Sequence, residues 1–119
     1  MTQNPKVFNL EERTLEFAKK CRSLIRQLPK NTVNFEDGAQ LTRSSGSVGA
    51  NYIEANEALS KKDLIMRMRI SRKEAKESRY WLNLIETSTP ELEKQRLNLI
   101  QESTELMNIF GSIIRKLEI

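Results

Sequence analysis

The sequence predicts an all-α protein, a single antiparallel up-down-up-down four-helix bundle. Three observations carry that reading. Apolar residues recur at three- and four-residue spacing through four separate segments. Every break between those segments is short and holds proline or a capping residue. No stretch alternates apolar and polar residues between turn signals, so no strand is indicated. With 119 residues and neither repeat nor low-complexity segment, the chain makes one domain.

Residues 1–8 read as a flexible tail, since Pro5 argues against an early helix start. The bundle then spans residues 9–119. Asn9 is suited to cap helix one, with Glu12 three residues on. Its stripe is Leu10, Phe17, Cys21, Leu24, Ile25 and Leu28, and Pro29 ends it. Thr32 or Asn34 is the expected cap of helix two, which runs to about Leu59. Leu41, Ser45, Val48, Tyr52, Ala55 and Leu59 share one of its faces. Gly46 and Gly49 each cost about 1 kcal/mol against Ala in a helix. They read as room for a close helix crossing.

Ser60 with Asp63 starts helix three almost at once, and that helix ends near Glu86. A hinge this short joins an antiparallel or sharply bent pair. Leu64, Met68, Ser71, Ala75, Ser78, Leu82 and Ile85 form its main stripe. Thr89 caps helix four, Pro90 takes its first position and Glu91 suits its first turn. Leu92, Leu99, Leu106 and Ile113 follow seven apart, interleaved with Ser103, Phe110 and Leu117. Ile100, Met107 and Ile114 widen that stripe beyond a two-in-seven zipper seam.

The middle helices carry more burial-type surface than one small bundle can cover. On helix three, Met66, Ile70, Trp81 and Leu84 lie nearly opposite the main stripe. On helix two the reverse face holds Arg43, Ser47, Ala50, Asn51, Glu54 and Ala58. Small residues there suit a close approach by another helix. This predicts a homo-oligomer whose interface, or buried polar layer, includes Arg43, Ser47, Asn51, Glu54, Met66, Ile70, Trp81 and Leu84. Arg43, Asn51 and Glu54 are expected to bond to one another, because each would cost about 1–3 kcal/mol if buried alone.

Between the two stripes of helix three runs a basic strip of Lys62, Arg69, Arg72, Lys73, Lys76 and Arg79. From residue 61 to 79 there are eight Lys or Arg against three acids. The whole chain is only mildly basic, at +4, so the local strip matters more than the total.

Composition narrows the chemistry. There is no histidine, which removes the commonest general base and metal ligand. The one cysteine allows no internal disulfide and no zinc cluster, and Cys21 on an apolar stripe reads as a buried thiol. No Gly-rich phosphate loop or nucleophile elbow occurs. No catalytic residue, metal or cofactor is therefore expected. Glu74 and Glu77 read as ion-pair partners for Arg43, Arg72 or Arg79. The N-terminus has no signal-peptide apolar run, and no span of about 18 apolar residues occurs, so no membrane association is expected. Absence of disulfides fits the cytoplasm.

One pattern in the middle helices is specific. Arg43-Ser44-Ser45, Ser47-Val48, Asn51-Tyr52-Ile53-Glu54, Ser60, Asp63, Glu74-Ala75-Lys76-Glu77-Ser78 and Trp81-Leu82 follow it in order. It resembles the bacterial four-helix-bundle family named after proteins encoded in intervening sequences of large-subunit ribosomal RNA genes. That family is similar to the accessory variability protein of diversity-generating retroelements. The resemblance spans nearly the whole chain in length and layout, while its specific motifs lie in helices two and three. It implies a ring-shaped homopentamer. Its retroelement relatives imply binding of nucleic acid, and of a reverse transcriptase, through basic surfaces. The family often has glycine after Asn-x-x-Glu; here Ala55 and Asn56 follow, implying a straighter helix end.

The functional expectation is RNA or DNA binding through phosphate contacts of Lys62, Arg69, Arg72, Lys73, Lys76 and Arg79. Few aromatics are available for stacking, so sequence-tolerant binding is implied. The alternative is a structural or adaptor oligomer whose partner is a protein encoded by a neighbouring gene, with no nucleic-acid affinity.

Overall fold

A computed structural model describes residues 9–119; the tail expected over residues 1–8 lies outside them. Four helices follow in order: α1 (Leu10–Gln27), α2 (Thr32–Asn56), α3 (Lys61–Leu84) and α4 (Pro90–Leu117). Each packs on its neighbours in sequence, and α1 closes against α4 across the thinnest seam. Short loops leave successive helices no alternative to antiparallel packing.

Three of the expected caps hold. Side-chain oxygens of Asn9, Ser60 and Thr89 accept from the backbone N–H of Glu12, Asp63 and Leu92 at 3.0–3.1 Å. These bonds satisfy donors that a helix start leaves without partners. At α2 the cap is neither Thr32 nor Asn34 but Asn31, whose Oδ1 accepts from Asn34 N–H at 2.8 Å. Asn34 is instead buried inside the first turn and clasps two loops. Its Nδ2 donates to the carbonyls of Pro29 (3.1 Å) and Glu86 (2.9 Å), and its Oδ1 accepts from Glu86 N–H (2.8 Å).

The end of α2 also differs from expectation. The helix stops at Asn56, and Leu59, placed on the core face by periodicity, is fully exposed in the loop. Closing hydrogen bonds from Glu57 N–H to Glu54 and from Ala58 N–H to Ala55 tighten the last turn. That turn rotates the chain off the stripe.

The core is built from the expected stripes. Phe17, Cys21 and Leu24 of α1, Leu41 and Val48 of α2, Ala75 and Leu82 of α3, and Leu106 and Phe110 of α4 are 0–1% exposed. Burial pushes the Cys21 thiol up to about 12. The α2–α3 contact is polar and close. Ser44 and Ser78 hydroxyls bond at 2.9 Å, and Ser71 Oγ donates to the Val48 carbonyl at 2.9 Å. Small side chains let the backbones approach, and each buried hydroxyl finds a partner. The two α2 glycines open onto α1. Gly49 lies against Thr14 and Gly46 against the guanidinium of Arg22. Arg22 reaches across to the Thr42 carbonyl at 3.2 Å. The expected close crossing is therefore that of α2 with α1.

Candidate nucleic-acid interface

Three sides of α3 have distinct neighbours. Its main stripe faces the core, one flank meets α2 and the other meets α4. The flank at α2 is held by ion pairs. Arg43 Nη2 lies 3.3 Å from Glu74 Oε1 and 3.0 Å from Glu77 Oε2. Asn51 Oδ1 accepts from Arg67 Nη1 at 3.1 Å. Burial alone would raise the Glu77 carboxyl, but hydrogen bonds from Arg43 and Trp81 outweigh it and hold it below the usual carboxylate range. Glu74 and Glu77 thus serve as ion-pair partners of Arg43, as expected.

The basic strip lies on the other flank and on the outward side. Lys62, Arg69, Arg72, Lys73 and Lys76 are exposed, and Arg79 is half-buried. Arg69 pairs with Glu118 just beyond the end of α4. Arg79 Nη1 donates to Thr104 Oγ1 of α4 at 3.1 Å. Lys62, Arg72, Lys73 and Lys76 have no hydrogen-bond or ion-pair partner among the described residues. Of the three acids that interrupt the strip in sequence, Glu74 and Glu77 turn to Arg43 of α2, while Asp63 stays in the first turn of α3 beside Lys62. Periodicity alone allowed Glu74 and Glu77 to neutralise it; the α2 packing removes those two. The structure adds one cation the sequence reading missed. Arg115 of α4 lies close to Arg72 over Gly111, at the α3–α4 contact. Its place on a different helix hid it from a reading made one helix at a time.

The outer stripe sits beside the strip. Met66 and Leu84 are 45% and 41% exposed, while Ile70 and Trp81 are half-buried. Tyr80, also exposed, stacks edge-on against Trp81. The Arg43–Glu77 and Asn51–Arg67 contacts put the α2 reverse face on the same side. None of Arg43, Ser47, Asn51 and Glu54 is buried in the single chain. Arg43, Asn51 and Glu54 do not bond to one another, a correction to the expectation. Arg43 and Asn51 are eight residues apart, about 12 Å along a helix, while α3 offers each a nearer partner. Asn51 Nδ2 and Ser47 Oγ instead bond backward to the carbonyls of Ser47 and Arg43. Glu54 is exposed, with no side-chain partner among the described residues.

No cluster of three or more His, Cys, Asp or Glu that could hold a metal occurs among the described residues. No described helix is long and apolar enough to cross a membrane.

Comparison with known proteins supplies the remaining findings. The profile of the family described as 23S rRNA-intervening sequence protein matches residues 8–112. The chain is similar to a crystal structure of a protein of unknown function from the S23 ribosomal protein family of Bacteroides thetaiotaomicron. The two share 36% identity over 87% of this chain and 96% of that one, with a TM-score of 0.75. No protein of curated function matches.

Proposed function

The chain belongs to the 23S rRNA-intervening sequence protein family, and from that premise we propose that it is a non-catalytic, self-assembling bundle that binds nucleic acid. The observation that carries the proposal is the segregation of charge on α3. Glu74 and Glu77 are committed to Arg43, which leaves Lys62, Arg72, Lys73 and Lys76 as exposed cations with no ion-pair partner among the described residues. Phosphate contacts of this kind give affinity without base readout.

Assembly would run through the exposed Met66 and Leu84 and the half-buried Trp81 beside them, in the pentameric ring that the family resemblance implies. A ring would multiply a modest per-protomer affinity. If about six phosphates were engaged, affinity would fall roughly a thousandfold between 50 and 200 mM salt.

The test is a gel shift with RNA and DNA at 50 and 150 mM salt, alongside light scattering. Retention at low salt that fades at higher salt is expected. Reversing Lys73 and Lys76 to Glu, two side chains without partners, should weaken it at least tenfold. Failure of the folded protein to retain either nucleic acid at low salt ends the binding reading. A single-chain mass in solution ends the assembly reading. The exposed Met66, Tyr80 and Leu84 also favour a second reading, an adaptor for a protein such as a reverse transcriptase or another neighbouring-gene product. Capture of such a protein by a chain that ignores nucleic acid would select it.

A further inference from the structure

Gly111 is buried in α4 with a helical backbone and no positive φ. Conformational freedom is therefore not why glycine stands there, and inside a helix it is a poor choice. What it supplies is the missing side chain. A Cβ at Gly111 would meet Arg115 Nη1 at 3.5 Å, Arg72 Nη1 at 3.8 Å and Arg72 Cδ at 4.0 Å. Two guanidinium groups from different helices thus converge over the backbone of Gly111. Both Nη1 atoms lie within 3.8 Å of the same point, so they are separated by at most twice that.

Neither Arg72 nor Arg115 has a hydrogen-bond or ion-pair partner among the described residues. The acids nearest in sequence are already engaged. Glu118 pairs with Arg69, and Glu74 and Glu77 pair with Arg43. Like charges at this range repel, weakly where water screens them, and an anion between them turns that repulsion into attraction on both sides. A tetrahedral oxyanion accepting charge-assisted bonds of about 2.8 Å from each side spans such a gap. Planar guanidinium forks favour phosphate over a spherical anion.

We propose that the pair of guanidinium groups converging over Gly111 at the α3–α4 contact is a discrete phosphate-binding subsite, with Arg72 and Arg115 as its two arms. The inference rests on the nucleic-acid reading only for the natural source of the phosphate. That source is either a phosphodiester of a strand or a terminal phosphate.

The test follows the arginine side-chain Nε–Hε NMR signals of the full chain during titration with inorganic phosphate. Chloride holds the ionic strength constant. Saturable shifts of Arg72 and Arg115, but not of Arg43, are expected. Arg72→Gln and Arg115→Gln identify the signals, and each should weaken binding about tenfold or more. Gly111→Ala is the control for the fold. The added methyl makes ordinary contacts with both arms and improves helix propensity, so the melting temperature should hold or rise. Non-saturating shifts shared by all arginines, or Arg72→Gln and Arg115→Gln chains that bind phosphate as before, overturn the subsite. Short RNAs with 5′-phosphate and 5′-hydroxyl ends, competed with inorganic phosphate, separate the sources. Preference for the phosphorylated end assigns a terminal phosphate, and equal competition assigns the backbone. Phosphate saturation without RNA retention would keep the subsite and end the nucleic-acid reading. RNA retention without phosphate saturation would do the reverse.

Discussion

Asn34 is where the largest stability effect of a single polar side chain is expected. Its amide makes three bonds, to the Pro29 carbonyl and to both backbone groups of Glu86. These join the α1–α2 loop to the α3–α4 loop at one end of the bundle. Asn34→Ala removes all three and leaves half-shielded backbone groups without replacements. At about 0.5–1.5 kcal/mol per bond, the loss is roughly 2–4 kcal/mol. Unfolding entropy of about 2.1 cal/mol/K per residue over 119 residues gives roughly 0.25 kcal/mol per degree. The expected drop in melting temperature is therefore about 8–16 °C. Circular dichroism at 222 nm should be followed at one fixed protein concentration, since self-association would shift the midpoint. Asn34→Asp separates the contributions. It keeps the acceptor for Glu86 N–H, loses both donors and places a carboxylate opposite two carbonyl oxygens. It should be no more stable than the alanine variant. Shifts below about 3 °C for both variants would show that the clasp adds nothing to the packing beneath it.

Two further outcomes follow from the geometry. Gly49→Ala would set a Cβ 2.8 Å from Thr14 Oγ1 and 3.2 Å from Thr14 Cβ, forcing α1 away. A loss of about 1–3 kcal/mol is expected from overpacking, against no loss for Gly46→Ala, whose Cβ meets only the flexible end of Arg22. Urea melts decide it, and equal effects would contradict the close crossing at Thr14. Hydrogen bonds from Arg96 and then Thr87 hold the Glu93 carboxyl at about 2, below its ordinary 4.5. Because the folded value is depressed, the contact stabilises the fold above about 4.5 and is lost as pH falls toward 2. Arg96→Gln should return Glu93 toward 4.5 in a carboxyl NMR titration; an unmoved titration would rule out Arg96 as the main cause.

Much of the fold is legible in the residues. The caps at Asn9, Ser60 and Thr89, the stop at Pro29 and the four apolar stripes are local facts. They depend on neighbours within a turn or two. The basic strip was equally legible, since it is an angular position on one helix. The misread residues share a different property. Asn34 looked like a cap because Asn, Ser and Thr at a helix start usually are. Its amide was instead taken by a loop 52 residues away. Leu59 kept the period of α2, but the helix had already ended.

The sequence by itself determined that there are four helices, which side of each is apolar, and that α3 carries an excess of cations. Those properties are set by periodicity along a rigid rod. Only the tertiary structure decided that Glu74 and Glu77 turn to Arg43, leaving Lys62, Arg72, Lys73 and Lys76 without an ion-pair partner among the described residues. It alone brought Arg115 of α4 beside Arg72 over Gly111. The physical reason is that long charged side chains choose among partners several ångströms away. That choice depends on how two helices cross and how far each is rotated, which no pattern along one helix contains.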